Sequence, residues 1–279
     1  MKQISLIFIA SSLVTAHVTT DWSKVLPTRE TAYRGLSQLE SSKDVKIVGG
    51  NEAAPNSIPY QAGMFLYFNE GWNFCGGSLI TRRYVLTAAH CLVNKPVSVE
   101  VILGAHKIRQ TEPTQQRIRT STYKVHEQYN SLQNDIGIVS LPTPANLNQY
   151  VQLIALPRRA DISNSFAGSE AIASGWGYTS TSAADISDVL RYINVPIITN
   201  DVCNATIPGI TGSMVCSGGA GNKGVCYGDS GGPLMASRKL VGIAISIGLN
   251  GCEAGDPSIF TRVTSHLDWI SANSDAVIS

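Results

Sequence analysis

Three short stretches carry side chains that together could break an acyl bond: Thr87-Ala88-Ala89-His90-Cys91, Asn134-Asp135-Ile136 and Gly228-Asp229-Ser230-Gly231-Gly232-Pro233. A serine hydroxyl is a poor nucleophile at neutral pH. It needs a base within hydrogen-bond reach and a group that holds the base in one tautomer. Histidine titrates near neutrality, so His90 could take the Ser230 proton and later give it to a leaving amine. Asp135, staying ionised, would fix the imidazole and stabilise its charged form. The glycines fit the same chemistry. A tetrahedral intermediate carries an oxyanion, and the N–H groups of Gly228 and Ser230 would point at it, each contributing roughly 3 kcal/mol. Gly228 allows a backbone that a side chain would resist. Singly, each residue has a plainer reading: His90 as a core histidine, Asp135 as a turn residue after Asn134, Ser230 as one more residue in a Gly-rich loop. Their order and combination favour the catalytic one.

These groups act only if the chain folds them together, and its texture says how. Tyr84-Val85-Leu86-Thr87, the run from Val97 to Leu103 and the run from Leu240 to Ile245 read as strands, several with alternating character. Pro142-Thr143-Pro144, Ser180-Thr181-Ser182 and Gly218-Gly219-Ala220-Gly221 read as loops. Ser265 stands as a capping residue before His266-Leu267-Asp268-Trp269-Ile270, which predicts one C-terminal helix in an otherwise all-β chain.

Of 279 residues, 43% are hydrophobic and 15% charged, enough for a core and without a disorder signature. Residues 47–279 hold 15 basic and 16 acidic side chains, a formal net charge of −1 that offers no basic face to nucleic acid or anionic lipid. Met1-Lys2, the mostly apolar run from Ile4 to Val14 and the ending Val14-Thr15-Ala16 read as an export signal over 1–16, too short to span a bilayer. Six cysteines follow it, Cys75, Cys91, Cys203, Cys216, Cys226 and Cys252, and an even count in an exported chain reads as three disulfides with fifteen pairings open. A zinc site has no support beyond the adjacent His90 and Cys91. Asn204-Ala205-Thr206 is an N-glycosylation acceptor.

With this ordered set in view, the chain from Ile47 to about Ile270 resembles the trypsin/chymotrypsin family of secreted serine proteases. The resemblance implies two antiparallel six-stranded Greek-key β-barrels with a C-terminal helix, His90 and Asp135 coming from the first barrel and Ser230 from the second. It selects the pairs Cys75–Cys91, Cys203–Cys216 and Cys226–Cys252. It also makes 17–46 an activation propeptide and 47–279 the protease domain. Cutting between Lys46 and Ile47, in the family, frees an isoleucine amine that folds inward to pair with the aspartate before the catalytic serine, here Asp229. The propeptide lacks cysteine, so it should diffuse away once cut. The implied partners are protein and peptide substrates, a trypsin-like activating protease and protein inhibitors.

The family's primary specificity pocket maps onto Gly224, Gly248 and Ser258. Glycines at 224 and 248 describe an open, uncharged slot suited to a large apolar or aromatic residue before the scissile bond. Ile247 in place of the usual tryptophan and Ser258 in place of glycine depart from that pattern and keep an elastase-like preference open. Asp256 and Glu253 read as solvated loop charges, either of which could reach in. Ile102-Leu103-Gly104-Ala105-His106 and Gly251-Cys252-Glu253-Ala254-Gly255 look similar to arthropod digestive chymotrypsins and the collagen-cleaving brachyurins, a resemblance that keeps collagenolytic specificity open as a further alternative. The calcium loop of some relatives is not apparent, since His106 stands where its first acidic ligand is expected and Glu112 is the one carboxylate between Gly104 and Thr122. No metal or other cofactor is expected. A non-catalytic binding protein on the same fold is the competing class.

Overall fold

Alternation of inward and outward side chains builds the strands. In Arg191–Ile198, residues 191, 193, 195 and 197 are buried while their neighbours are half-buried or exposed, the period of a sheet with one face on a core. A computed structural model describes residues 25–27 and 50–279; the export signal, Lys46 and Ile47 lie outside the described residues. The first group of strands is β1 (Val25–Pro27), β2 (Asn51–Glu52), β3 (Gln61–Phe68), β4 (Gly71–Thr81), β5 (Tyr84–Thr87), β6 (Ser98–Leu103), β7 (Gln116–Thr120), β8 (Tyr123–Val125) and β9 (Gly137–Ser140). The second is β10 (Glu170–Gly175), β11 (Arg191–Ile198), β12 (Met214–Ser217), β13 (Pro233–Ala236), β14 (Lys239–Ser246) and β15 (Ser258–Arg262). Three short helices, α1 (Ala89–Leu92), α2 (Asn200–Thr206) and α3 (Leu267–Asn273), complete the regular structure.

One sheet has the order β7-β6-β3-β4-β5-β9-β8, antiparallel except where β1 joins β4 in parallel, Val25 opposite Trp72 and Pro27 opposite Phe74. Its two end strands, β7 and β8, are separated by only Ser121 and Thr122, so the sheet must curl until its edges meet. The covalent chain closes this half-barrel in place of a ladder. The other sheet, β10-β13-β14-β15-β12-β11, closes fully through β10–β11 pairing into a six-stranded barrel, with β2 on the edge of β11. The expected two-barrel architecture is therefore present, with the first barrel hydrogen-bonded less completely than the second.

Phe260, Leu234, Val195, Val215 and Ala173 fill the second barrel, and Leu66, Val85, Val101 and Ile138 the first. Between the barrels, Phe65, Phe74 and Trp176 form a buried aromatic layer, Phe74 meeting Trp176 edge-on at 6.3 Å. α3 docks on this body through buried Leu267 and Ile270. The anticipated Ser265 cap does not form. A 3-10 turn over Val263–His266 leads into the helix, His266 takes the N-cap position without a side-chain cap, and the Ser265 hydroxyl is spent on the Gly212 carbonyl at 3.5 Å.

Phe260 is fully buried and belongs to the closed barrel. Phe260→Ala should cost about 3–5 kcal/mol, from lost transfer energy and the cavity left behind. Urea denaturation followed by tryptophan fluorescence would measure it, and a loss under about 1 kcal/mol would show the core repacking freely.

Candidate active site

His90 sits on the single turn of α1, directly after β5, and the Cys75–Cys91 disulfide ties that turn to β4. The Asp135 carboxylate grips this turn twice: Oδ1 accepts the His90 backbone N–H at 2.9 Å, and Oδ2 lies 2.7 Å from His90 Nδ1. Only 1% of Asp135 is exposed. A carboxylate so placed has its lone pairs engaged by protein donors and holds the imidazole by its Nδ1 side. From the second barrel, the Thr261 hydroxyl donates to the Asp135 carbonyl at 2.6 Å.

Ser230 approaches from the opposite side. Its carbonyl accepts the N–H of Gly76 on β4 at 2.8 Å, and the Cys91 Sγ lies 3.8 Å from His90 Nε2 and 3.9 Å from that carbonyl. Glycine makes this approach possible. A Cβ on Gly231, at φ +79, would fall 2.1 Å from Thr87 Oγ1 and 2.5 Å from the Gly76 carbonyl. Asp229, Gly231 and Gly232 donate their N–H groups to Cys226, Ala244 and Asp229 carbonyls respectively. Among the described residues, the N–H groups of Gly228 and Ser230 make no such bond, and Gly228 has φ +91.

Asp229 is 2% exposed, its carboxylate in a niche lined by Gly175 and Gly177, where any Cβ would fall 2.2–2.6 Å from its oxygens. It accepts the N–H groups of Gly177 at 2.8 Å and Cys226 at 2.9 Å. Burial nevertheless outweighs these bonds and pushes its pKa up to about 6.

The pocket residues are placed as follows. Ser258 Oγ accepts the Val225 N–H at 3.3 Å and lies 3.0 Å from where a Gly224 Cβ would be. A Gly248 Cβ would meet Asp256 Cβ at 2.1 Å. Asp256 is turned to Asn250, accepting its N–H at 3.0 Å and its Nδ2 at 2.9 Å, while Glu253 accepts the Thr181 N–H at 2.9 Å. Next to Ser230, a cavity of about 20 Å³ lies between Val225, Cys226 and Tyr227 on one side and Ala244 to Ile247 on the other. Gly224, Gly248 and Ser258 are not among its lining residues.

Disulfides join Cys75 to Cys91, Cys203 to Cys216 and Cys226 to Cys252. The last fastens the segment before Ser230 to the loop after β14. The Asn204 side chain holds the loop after α2, accepting from Gly209 and Ile210 and donating Nδ2 to the Ile210 carbonyl at 3.0 Å. Glu112 accepts the N–H groups of His106 and Lys107, at 2.7 and 2.9 Å. His106, His126 and His266 belong to none of the sequence motifs. Buried His106 pairs with Glu52 at 3.0 Å, and His266 reaches Asn134. Only the tertiary fold brings these partners, 54 and 132 positions apart, together.

The family model described as Trypsin matches residues 47–270. Brachyurin of Leptuca pugilator is 46% identical over 226 residues, covering 80% of this chain and 96% of that protein. Chymotrypsin of Phaedon cochleariae is 37% identical over 278 residues, 98% of each chain. The solved structure of HL collagenase superposes with a TM-score of 0.75 at 33% identity, covering 82% of this chain and 99% of its own.

The raised pKa of Asp229 fixes the sign of one pH effect. The folded chain keeps this proton up to about pH 6, whereas an unfolded aspartate releases it near 3.8. The contribution of Asp229 to stability therefore falls as pH rises between those values, by on the order of 3 kcal/mol in all. Buried His266 and half-buried His126, with pKa values lowered mainly by burial, act in the opposite direction over neighbouring pH. The difference between wild type and Asp229→Asn isolates the term. In denaturant titrations of the intact chain, stability relative to the variant should decline from pH 4 to 6, and a flat difference would contradict the assignment.

Proposed function

This chain belongs to the trypsin family of serine endopeptidases, and from that premise we propose that it is a secreted protease, made as a zymogen, that works through His90, Asp135 and Ser230. The double grip of buried Asp135 on His90, at 2.9 and 2.7 Å, is the observation that carries the reading. It leaves His90 Nε2 to accept the Ser230 hydroxyl proton as Oγ attacks the scissile carbonyl. The carbonyl oxygen becomes an oxyanion facing the N–H groups of Gly228 and Ser230, which are not committed to backbone partners. His90 then protonates the leaving amine, and the Ser230 ester remains. Water, deprotonated by His90, attacks that ester; collapse of the second intermediate releases the acid and returns the proton to Ser230.

Cutting after Lys46 by a trypsin-like protease would supply the Ile47 ammonium. In the intact chain the nitrogen of residue 47 is an amide, so it offers no such cation to Asp229. A carboxylate held in a dry niche and already reluctant to ionise is the partner an arriving ammonium would stabilise most. The apolar start of the chain and its Val14-Thr15-Ala16 ending support export with residues 1–16 removed, leaving 17–46 as the propeptide.

For specificity, the favoured reading is cleavage after large apolar or aromatic residues. Gly224 contributes no charge, and Asp256 and Glu253 both answer loop amides. Relatives named brachyurin and chymotrypsin support this reading. One observation favours an elastase-like alternative: the cavity beside Ser230 has room for about one water.

The test is a panel of peptide amides differing in the residue before the scissile bond, assayed with protein cut at Lys46, intact protein and Ser230→Ala. Cut protein should cleave after Phe, Tyr or Leu, and Ser230→Ala should be slower by roughly four orders of magnitude or more. Preference for Ala or Val would select the elastase-like pocket. If pairing with Asp229 holds the new Ile47 amine in its charged form, activity of the cut enzyme should hold at neutral pH and fade as alkaline pH removes that charge. A flat profile to strongly alkaline pH would count against the switch.

A further inference from the structure

Asp135 is gripped by His90 from the front, and the peptide behind it is held as closely. Asn134 has φ +54, a left-handed conformation that a side chain adopts at a cost and keeps only when its surroundings enforce it. Four bonds do so. Asn134 Nδ2 donates to the Gln128 carbonyl at 3.0 Å, the Ile136 N–H returns to the Asn134 carbonyl at 2.8 Å, Thr261 holds the Asp135 carbonyl, and Asn134 Oδ1 lies 3.2 Å from His266 Nε2. The bond to Gln128 fixes which way the amide faces, since only its nitrogen can donate to a carbonyl. The atom offered to His266 is therefore the oxygen, and the bond forms when His266 Nε2 carries the ring proton.

His266 is 4% exposed and belongs to the turn that leads out of the second barrel into α3. Its other nitrogen, Nδ1, lies 3.1 Å from the Arg262 carbonyl. Both ring nitrogens thus face acceptors, and a neutral imidazole has one N–H to divide between them. The surrounding groups stiffen the ring. His126 meets it edge-on at 5.6 Å and stacks on Trp269 at 5.2 Å, and the Gln128 N–H donates to His126 Nδ1 at 3.1 Å. Trp269 Nε1 donates to Glu127, which also pairs with Lys124.

We propose that His266 is a positioning residue for catalysis: its bond to Asn134 couples the C-terminal segment to the backbone that aims the Asp135 carboxylate at His90. The proposal rests on the triad reading above. His266 touches no reacting atom in that scheme. It acts through Asn134, and a wrong setting of that residue would tilt Asp135 without unfolding either barrel.

Four variants of the activated enzyme test it. His266→Phe keeps the ring volume and removes the donor; His266→Gln keeps an amide donor; Asn134→Gly removes the acceptor while tolerating the left-handed backbone. Relative to wild type, His266→Phe should lower kcat by roughly 3- to 10-fold with KM unchanged, the scale of one hydrogen bond. His266→Gln should recover most of that loss. Asn134→Gly should lose at least as much, since it also drops the Gln128 bond, and adding His266→Phe to it should change little, because the His266 link is already gone. The low-field proton resonance of His90 Nδ1–H should shift in His266→Phe and return in His266→Gln. Unchanged kcat and resonance with only a lowered Tm, or losses that multiply in the double variant, would overturn the proposal. If His266→Phe does not fold, Asn134→Gly probes the same link from the other end. Asp135→Asn is the control: if it fails to cut turnover by orders of magnitude, the triad reading is what has failed.

Discussion

Everything at the cleft depends on burying one carboxylate without leaving it alone. Asp135 is almost wholly removed from water, and an isolated ion there would cost several kcal/mol. The fold answers with the His90 backbone N–H and ring, and it steadies the flanking backbone with Thr261. Those partners come from both barrels. The electrostatic requirement of one side chain thereby fixes how the two halves meet, because separating them would undo the backbone's support and open the carboxylate to solvent.

Close backbone approach is the second half of that constraint. β4 passes so near the Ser230 loop that a Cβ on Gly76 would lie 2.9 Å from the Gly232 Cα, and Gly231 is hemmed in by Thr87 and Gly76. The Gly76 N–H then reaches the Ser230 carbonyl. Cys75, next to Gly76, is bonded to Cys91, next to His90, so one disulfide and one hydrogen bond hold the His90 and Ser230 segments to the same strand. The run of glycines around the serine is thus a packing requirement as well as a means of exposing N–H groups.

Asp229 makes an instructive contrast with its near neighbour in burial. It too is removed from water, yet its donors are two backbone amides, and desolvation outweighs them. One buried carboxylate is held by an imidazole and belongs to a finished arrangement. The other sits in a glycine-lined niche with its proton retained to about pH 6, an energetic tension that a cation can relieve. Asp229 directly precedes Ser230, so that tension is connected to the loop that carries Gly228 and Ser230.

Much of this protein was written locally. The strand runs at Tyr84–Thr87, Ser98–Leu103 and Lys239–Ser246, the loops between them and the spacing of His90, Asp135 and Ser230 are legible because alternation, turn residues and short motifs are properties of neighbouring residues. The cysteine count pointed to three disulfides, although fifteen pairings stayed open until a family pattern or the fold chose among them. Tertiary structure alone decided the rest: that chain connectivity closes the first barrel while a ladder closes the second, that Ser265 does not cap α3, that Asp256 turns to Asn250, and that His266 meets Asn134. Each of these is a contest between partners distant in the chain, settled by which donor, acceptor or apolar face the packed backbone brings within a few ångströms, and no local pattern records that outcome.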